Sequence, residues 1–147
     1  MAVFSALLLF LILQGCSGDS TGPDKALRPL VGAWQATTLM MTNQANPSIQ
    51  ADILAQGATF TLSILSTGQY SASLSAFGAA NTEVGTVVVE GNQVTITPTS
   101  PAGPPLVATW SFQGSRLILD GPSEFDFNQD GTPEPSLSHI ELDPLDS

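Results

Sequence analysis

The feature that most constrains this chain is an alternation of apolar and polar residues with a period of two, recurring in short stretches from Leu30 onward. In "ATFTLSIL", Phe60, Leu62 and Ile64 alternate with Thr59, Thr61 and Ser63. In "QYSASLSA", Tyr70, Ala72, Leu74 and Ala76 alternate with Gln69, Ser71, Ser73 and Ser75. "NQVTITP" sets Val94 and Ile96 between threonines, and "LVATWSF" puts Leu106, Ala108, Trp110 and Phe112 on one face. Successive side chains of a strand point to opposite faces, so the pattern predicts strands with one buried and one solvated side.

Turn signals separate these stretches: "STGQ" at 66–69, "EGNQ" at 90–93, "QGSR" at 113–116 and "NQDG" at 128–131. Gly91-Asn92 and Asp130-Gly131 tolerate the positive φ of tight hairpins. Short strands joined by hairpin-length loops make an all-β, antiparallel meander, closed as a barrel or folded as a sandwich. One segment reads otherwise. In "NPSIQADILAQG", 46–57, Asn46 suits a cap, Pro47 a first helical position, and Ile49, Ile53 and Leu54 share a helical face. A short helix or an irregular lid is expected there.

Ahead of the strands lies a different composition. Residues 1–15, "MAVFSALLLFLILQG", hold an apolar run over 6–13, too short to span a bilayer and matched to a signal-peptide core. Residues 16–28, small, polar and Pro/Gly-containing, read as a flexible tether, which leaves 29–147 as one domain. The stretch "LQGC" resembles the lipobox of bacterial lipoproteins. That resemblance implies lipidation of Cys16, an exported protein held in the cell envelope, and a membrane as partner through the lipid. Ser17, in place of Asp, implies sorting to the outer membrane, facing the periplasm or the surface. An ordinary secretory signal with a free cysteine is the alternative. Each buried methylene of an acyl chain contributes about 0.8 kcal/mol, so a multiply acylated cysteine anchors stably.

The chain has a single Cys, so the domain must be stable without an internal disulfide. Its net charge of −10, from 13 acidic residues against three basic ones, repels phosphate backbones and argues against nucleic-acid binding. Eight acids lie between Asp120 and Asp146, a stretch with no Lys or Arg.

The first strand opens "LVGAWQATTL", and its Gly32-Ala33-Trp34 resembles the G-x-W signature at the start of lipocalin barrels. The order of elements over 28–143, from tether through "GATFTLSILSTGQY" to "WSFQG…LIL", is similar to small bacterial lipoproteins with a lipocalin-like domain. The resemblance implies closure into a lipocalin-like barrel of about eight to ten short strands. It also implies an interior able to hold a small apolar ligand, and Arg116 stacked on Trp34. In physical terms, Trp34 at a strand start plugs a barrel end. Inward Ala72, Ala76 and Ala108 either make room for large neighbours or leave a cavity.

Chemistry has few candidates. His139 is the only histidine, placed in "SLSHIELD" on the face of Glu141 and away from Ile140 and Leu142, so it reads as a surface residue. There is no G-x-S-x-G elbow, no phosphate loop, and too few His and Cys for zinc. Neither an enzyme nor a cofactor is expected. The exception to test is "FDFNQDGTPEP". Asp126, Asn128, Asp130, Thr132 and Glu134 fall at the first, third, fifth, seventh and ninth positions of a calcium loop, with Gly131 at the bend. Leu137 replaces the bidentate acid, and a hairpin turn held by Asx side chains uses the same letters. The turn is expected, with weak calcium binding as its rival. Two functional readings follow. One is an envelope binding module for a small apolar ligand. The other is a solid-cored interaction barrel that meets an envelope protein through its acidic end at Glu124, Asp126 and Asp130.

Overall fold

The computed structural model describes residues 24–145. The expected signal peptide, Cys16 and most of the expected tether lie outside the described residues. The strands are β1 (Gly32–Asn43), β2 (Gln50–Asp52), β3 (Thr59–Ile64), β4 (Gln69–Ala76), β5 (Ala79–Glu90), β6 (Gln93–Ser100), β7 (Leu106–Gln113), β8 (Arg116–Phe125) and β9 (Glu134–Pro144). Each of β3 to β9 pairs antiparallel with its sequence neighbour, β1 pairs with β3, and β1 also pairs with β9. That last pairing closes an eight-stranded meander barrel, with β2 added along the edge of β1 that faces β3. Closure satisfies the backbone groups that an open sheet edge would leave unpaired.

The hairpins follow the expected turn chemistry. Gly91 (φ 61°) and Gly114 (φ 64°) each supply the positive φ of a two-residue link. The β4–β5 link uses Phe77 (φ 53°) and Gly78 (φ 80°), and Phe77 is left exposed at its tip. Between β8 and β9 the chain makes a longer loop, 126–133, rather than a tight Asp130-Gly131 hairpin, with Gln129 taking the left-handed conformation beside Gly131.

One end of the barrel is plugged. A 3₁₀ turn (Arg28–Leu30) tucks Leu27 and Leu30 into the core, and Leu30 is fully buried. Leu27 is therefore core rather than tether. Trp34 packs over them at 6% exposure, and its indole Nε1 donates to the Leu30 carbonyl at 3.0 Å. Phe112 of β7 lies 6.0 Å from the Trp34 ring and 5.8 Å from the Trp110 ring.

Along β1 the inward parity changes. Trp34 and Ala36 face in, the register shifts between Ala36 and Thr38, and Leu39 and Asn43 then face in. A bulge of this kind bends a strand and increases its twist, as barrel closure requires. β1 and β3 meet only over 32–35 against 61–64. Beyond that the strands part, and 50–58 fills the seam. β2 pairs with 40–42, and Ile53 N–H donates to the Leu39 carbonyl. Ile53, Leu39 and Ala58 form a second buried cluster against Phe60, Leu74 and Ala76.

The expected helix at 46–57 is absent. Asn46 Oδ1 accepts from Ser48 N–H, and the Asn46 carbonyl accepts from Ile49 N–H, so Asn46 opens a turn rather than a helix. Ile53 and Leu54 serve the seam instead, in the manner of an irregular lid, while Ile49 is exposed.

Candidate functional site

Inside the barrel is a cavity of about 680 Å³. Leu30 forms its floor at the plugged end, and Leu62, Ile64, Val87, Val94 and Leu119 line its wall. Strand directions place Pro98, Pro104, Pro122 and Pro135 at the opposite end, as its rim. Of the strand residues expected to point inward, Phe60, Leu62, Ile64, Tyr70, Ala72, Leu74, Ile96 and Leu106 border this space, whereas Trp110 does not and Phe112 is 39% exposed.

The three inward alanines have different roles. Ala72 borders the cavity. Ala108 is pressed against Gly121 of β8, where an added Cβ would come within 2.9 Å of the alanine methyl. Ala76 packs on the Ile53 cluster. Only the first makes open room.

The polar groups on the wall are few. Gln44 Nε2 donates to the Ser136 carbonyl at 3.0 Å, and Ser138 Oγ to the Gly121 carbonyl at 3.2 Å. Glu124 stands at the rim. Glu83 is the unexpected member. It lies on β5 in the inward parity of Gly85, Val87 and Val89, and its Oε1 accepts a 2.5 Å hydrogen bond from the Tyr70 phenol. Tyr70 is 5% exposed. Burial, then the hydrogen bond and charge of Glu83, push its pKa far above the ordinary value. The signal for Glu83 is present in "NTEVGTVVVE": an acid at the spacing of the valines that build the wall.

Gly85 makes the pairing of Tyr70 and Glu83 possible. It sits opposite Tyr70 in the β4–β5 register, and a Cβ there would meet Tyr70 Cε1 at 2.7 Å and collide with the Thr97 carbonyl. The phenol ring lies where that side chain would be and reaches Glu83 two residues along the strand.

The remaining candidates lie elsewhere. Arg116 does not stack on Trp34. Its parity on β8 puts it on the outer face, where it bonds Asp143 at 2.8 Å and Glu141 at 2.8 Å. Phe112 packs on Trp34 instead. His139 is on the same outer face, 2.6 Å from Asp120 and 3.4 Å from Glu141. The Asp120 hydrogen bond, against a smaller opposing effect of burial, raises the His139 pKa above its ordinary value. Hydrogen bonding to His139, together with the Arg116 charge, holds the Glu141 carboxyl below its ordinary range. Gly32 takes φ 150° beside the Trp34 indole.

In the loop 126–133, Asp126 accepts from the amides of Asp130 (3.1 Å) and Gly131 (2.8 Å). Asn128 accepts from Asp130 N–H, Asp130 from Thr132 N–H, and Glu134 from Phe127 N–H. Oxygens of the candidate calcium ligands thus bond to the loop's own backbone amides. Thr132 contributes its amide. Among the described residues no group of three or more His, Cys, Asp or Glu side chains is set to hold a metal.

No protein-family model matches the chain, and no curated protein matches it.

Proposed function

We propose that the protein is a lipid-anchored, lipocalin-like barrel of the bacterial cell envelope that binds a small, largely apolar molecule. The observation that carries this reading is the cavity of about 680 Å³, a size suited to a small ligand and walled by aliphatic and aromatic side chains. The "LQGC" stretch supports the anchor, and acylation of Cys16 would leave the binding domain on a short tether at the membrane surface. A binding role rather than an enzymatic one is further supported by the position of His139. The chain's only histidine is on the outer face with Asp120, away from the cavity.

Native mass spectrometry of protein purified from its own envelope tests the reading. A co-purifying mass that vanishes on organic extraction is expected, and consistently empty protein would count against it. Cys16→Ser tests the anchor: the variant should leave the membrane fraction or accumulate uncleaved. The cavity favours this reading over a solid-cored interaction barrel. Reversing the charges at Glu124, Asp126 and Asp130 and looking for loss of a crosslinked envelope partner tests that second reading.

A further inference from the structure

Glu83 sits awkwardly for a residue whose only task is to fill a barrel. A carboxylate facing an apolar space is costly unless it is paired and hydrogen-bonded. Its Oε1 accepts the hydrogen bond of the Tyr70 phenol, and among the described residues Oε2 of this half-buried side chain has no protein partner. No cation among the described residues reaches it either. Arg116 and His139 are engaged on the outer face, and neither Lys25 nor Arg28 forms an ion pair among the described residues. Ala72, the register partner of Glu83 on β4, also borders the cavity and carries only a methyl group, which leaves space beside the carboxylate. Because the Tyr70 proton already points at Glu83, the pair offers incoming molecules oxygen acceptors and no donor.

We infer that the Glu83–Tyr70 pair is the head-group site of the cavity, selecting an amphiphile whose polar end donates hydrogen bonds, an aliphatic amine above all, over an anionic one. This rests on the reading of the cavity as a ligand site. An ammonium group brings up to three N–H donors and a charge opposite to that of Glu83, and its alkyl chain lies against Leu62, Ile64, Val87 and Val94. A fatty-acid carboxylate brings only acceptors and a like charge.

The test uses the whole purified chain, at about pH 7 and roughly 0.15 M salt, with octylamine, octanoate and octanol followed by calorimetry. Octylamine should bind at least about tenfold more tightly than octanoate, the ratio expected of one charge-assisted hydrogen bond. Glu83→Gln should abolish that preference and keep octanol binding, which also reports an intact cavity; Glu83→Ala serves if the Gln form does not fold. Glu124→Gln, at the rim, should keep the preference, separating Glu83 from the general attraction of a chain of net charge −10 for cations. If octanol binds while the amine and the acid bind equally, the head-group inference falls and the cavity reading stands. The head-group inference falls in the same way if the preference survives loss of Glu83, or is lost equally with Glu124. If none of the three binds, both fall.

Discussion

Tyr70 on β4 lies across Gly85 on β5 and donates to Glu83, so an aromatic ring occupies the place of the side chain its register partner lacks. An added methyl at Gly85 meets not only the ring but the Thr97 carbonyl, which is backbone and cannot swing aside. Gly85→Ala should therefore destabilise the barrel by about 3 kcal/mol, at the upper end of ordinary overpacking costs. Urea unfolding measures it. A change under about 0.5 kcal/mol, typical of neutral surface sites, would show that the ladder can shift to take the methyl.

Trp34→Ala empties the plugged end. Emptying an aromatic core site costs about 3–5 kcal/mol, and the indole hydrogen bond to Leu30 goes with it. Since a whole domain is stable by roughly 5–15 kcal/mol, the melting temperature should fall steeply. An unchanged melt means that Leu27 and Leu30 suffice as the plug.

The chain has one histidine, so its ring-proton NMR signal needs no assignment by mutation. The His139 titration midpoint should lie above the ordinary value of about 6.5, and move back toward it in Asp120→Asn. A pKa raised on folding means that the folded state binds the proton more tightly. The associated stability is thus fully present below the unfolded value and is lost as pH rises through the folded one. The groups are 41% and 52% exposed, so solvent screening keeps the effect to a few tenths of a kcal/mol, about 0.5 at most. A midpoint at or below the ordinary value would show that Asp120 does not hold the imidazolium.

For the loop 126–133, calorimetry with millimolar calcium should give no heat, because Asp126 and Asp130 already serve backbone amides. Asp126→Ala should cost about 1 kcal/mol through those lost bonds, with or without calcium. Heat in the wild type that disappears in Asp126→Ala with Asp130→Ala would establish a site there.

Much of the barrel wall is legible in the sequence, for a local reason. Period two fixes which side chains share a face, and so Phe60, Leu62, Ile64, Val94 and Ile96 can be placed on the inner wall with no knowledge of the pairing. Where a strand is irregular, the same reasoning fails. The bulge at 36–38 moves β1 from Ala36 to Leu39 on the inner face, and nothing in "QATTLMMTN" announces it. Asn46 with Pro47 satisfies the local chemistry of both a turn and a helix start, and only the open seam beside β1 decides between them. Family resemblance stacks Arg116 on Trp34, but its parity with Ile118 and Asp120 turns it outward to Glu141 and Asp143. Glu83 is readable by the same period that places its neighbours: its spacing from Val87 and Val89 puts it on the inner wall, where an acid is not expected.

The short join between β1 and β3 has a consequence for how the barrel comes apart. The β8–β9 ladder runs from 117 paired with 142 to 125 paired with 134, whereas β1 holds β3 only over 32–35. Local opening starts where few backbone bonds must break together. Amide hydrogens in 50–58 and at the start of β3 should therefore exchange with solvent well before those of β8 and β9. The ring would then part there or at the equally short β6–β7 join, 93–96 against 106–109, and at the first of these a molecule too broad for the proline rim would have a lateral route to the interior beside Ile53.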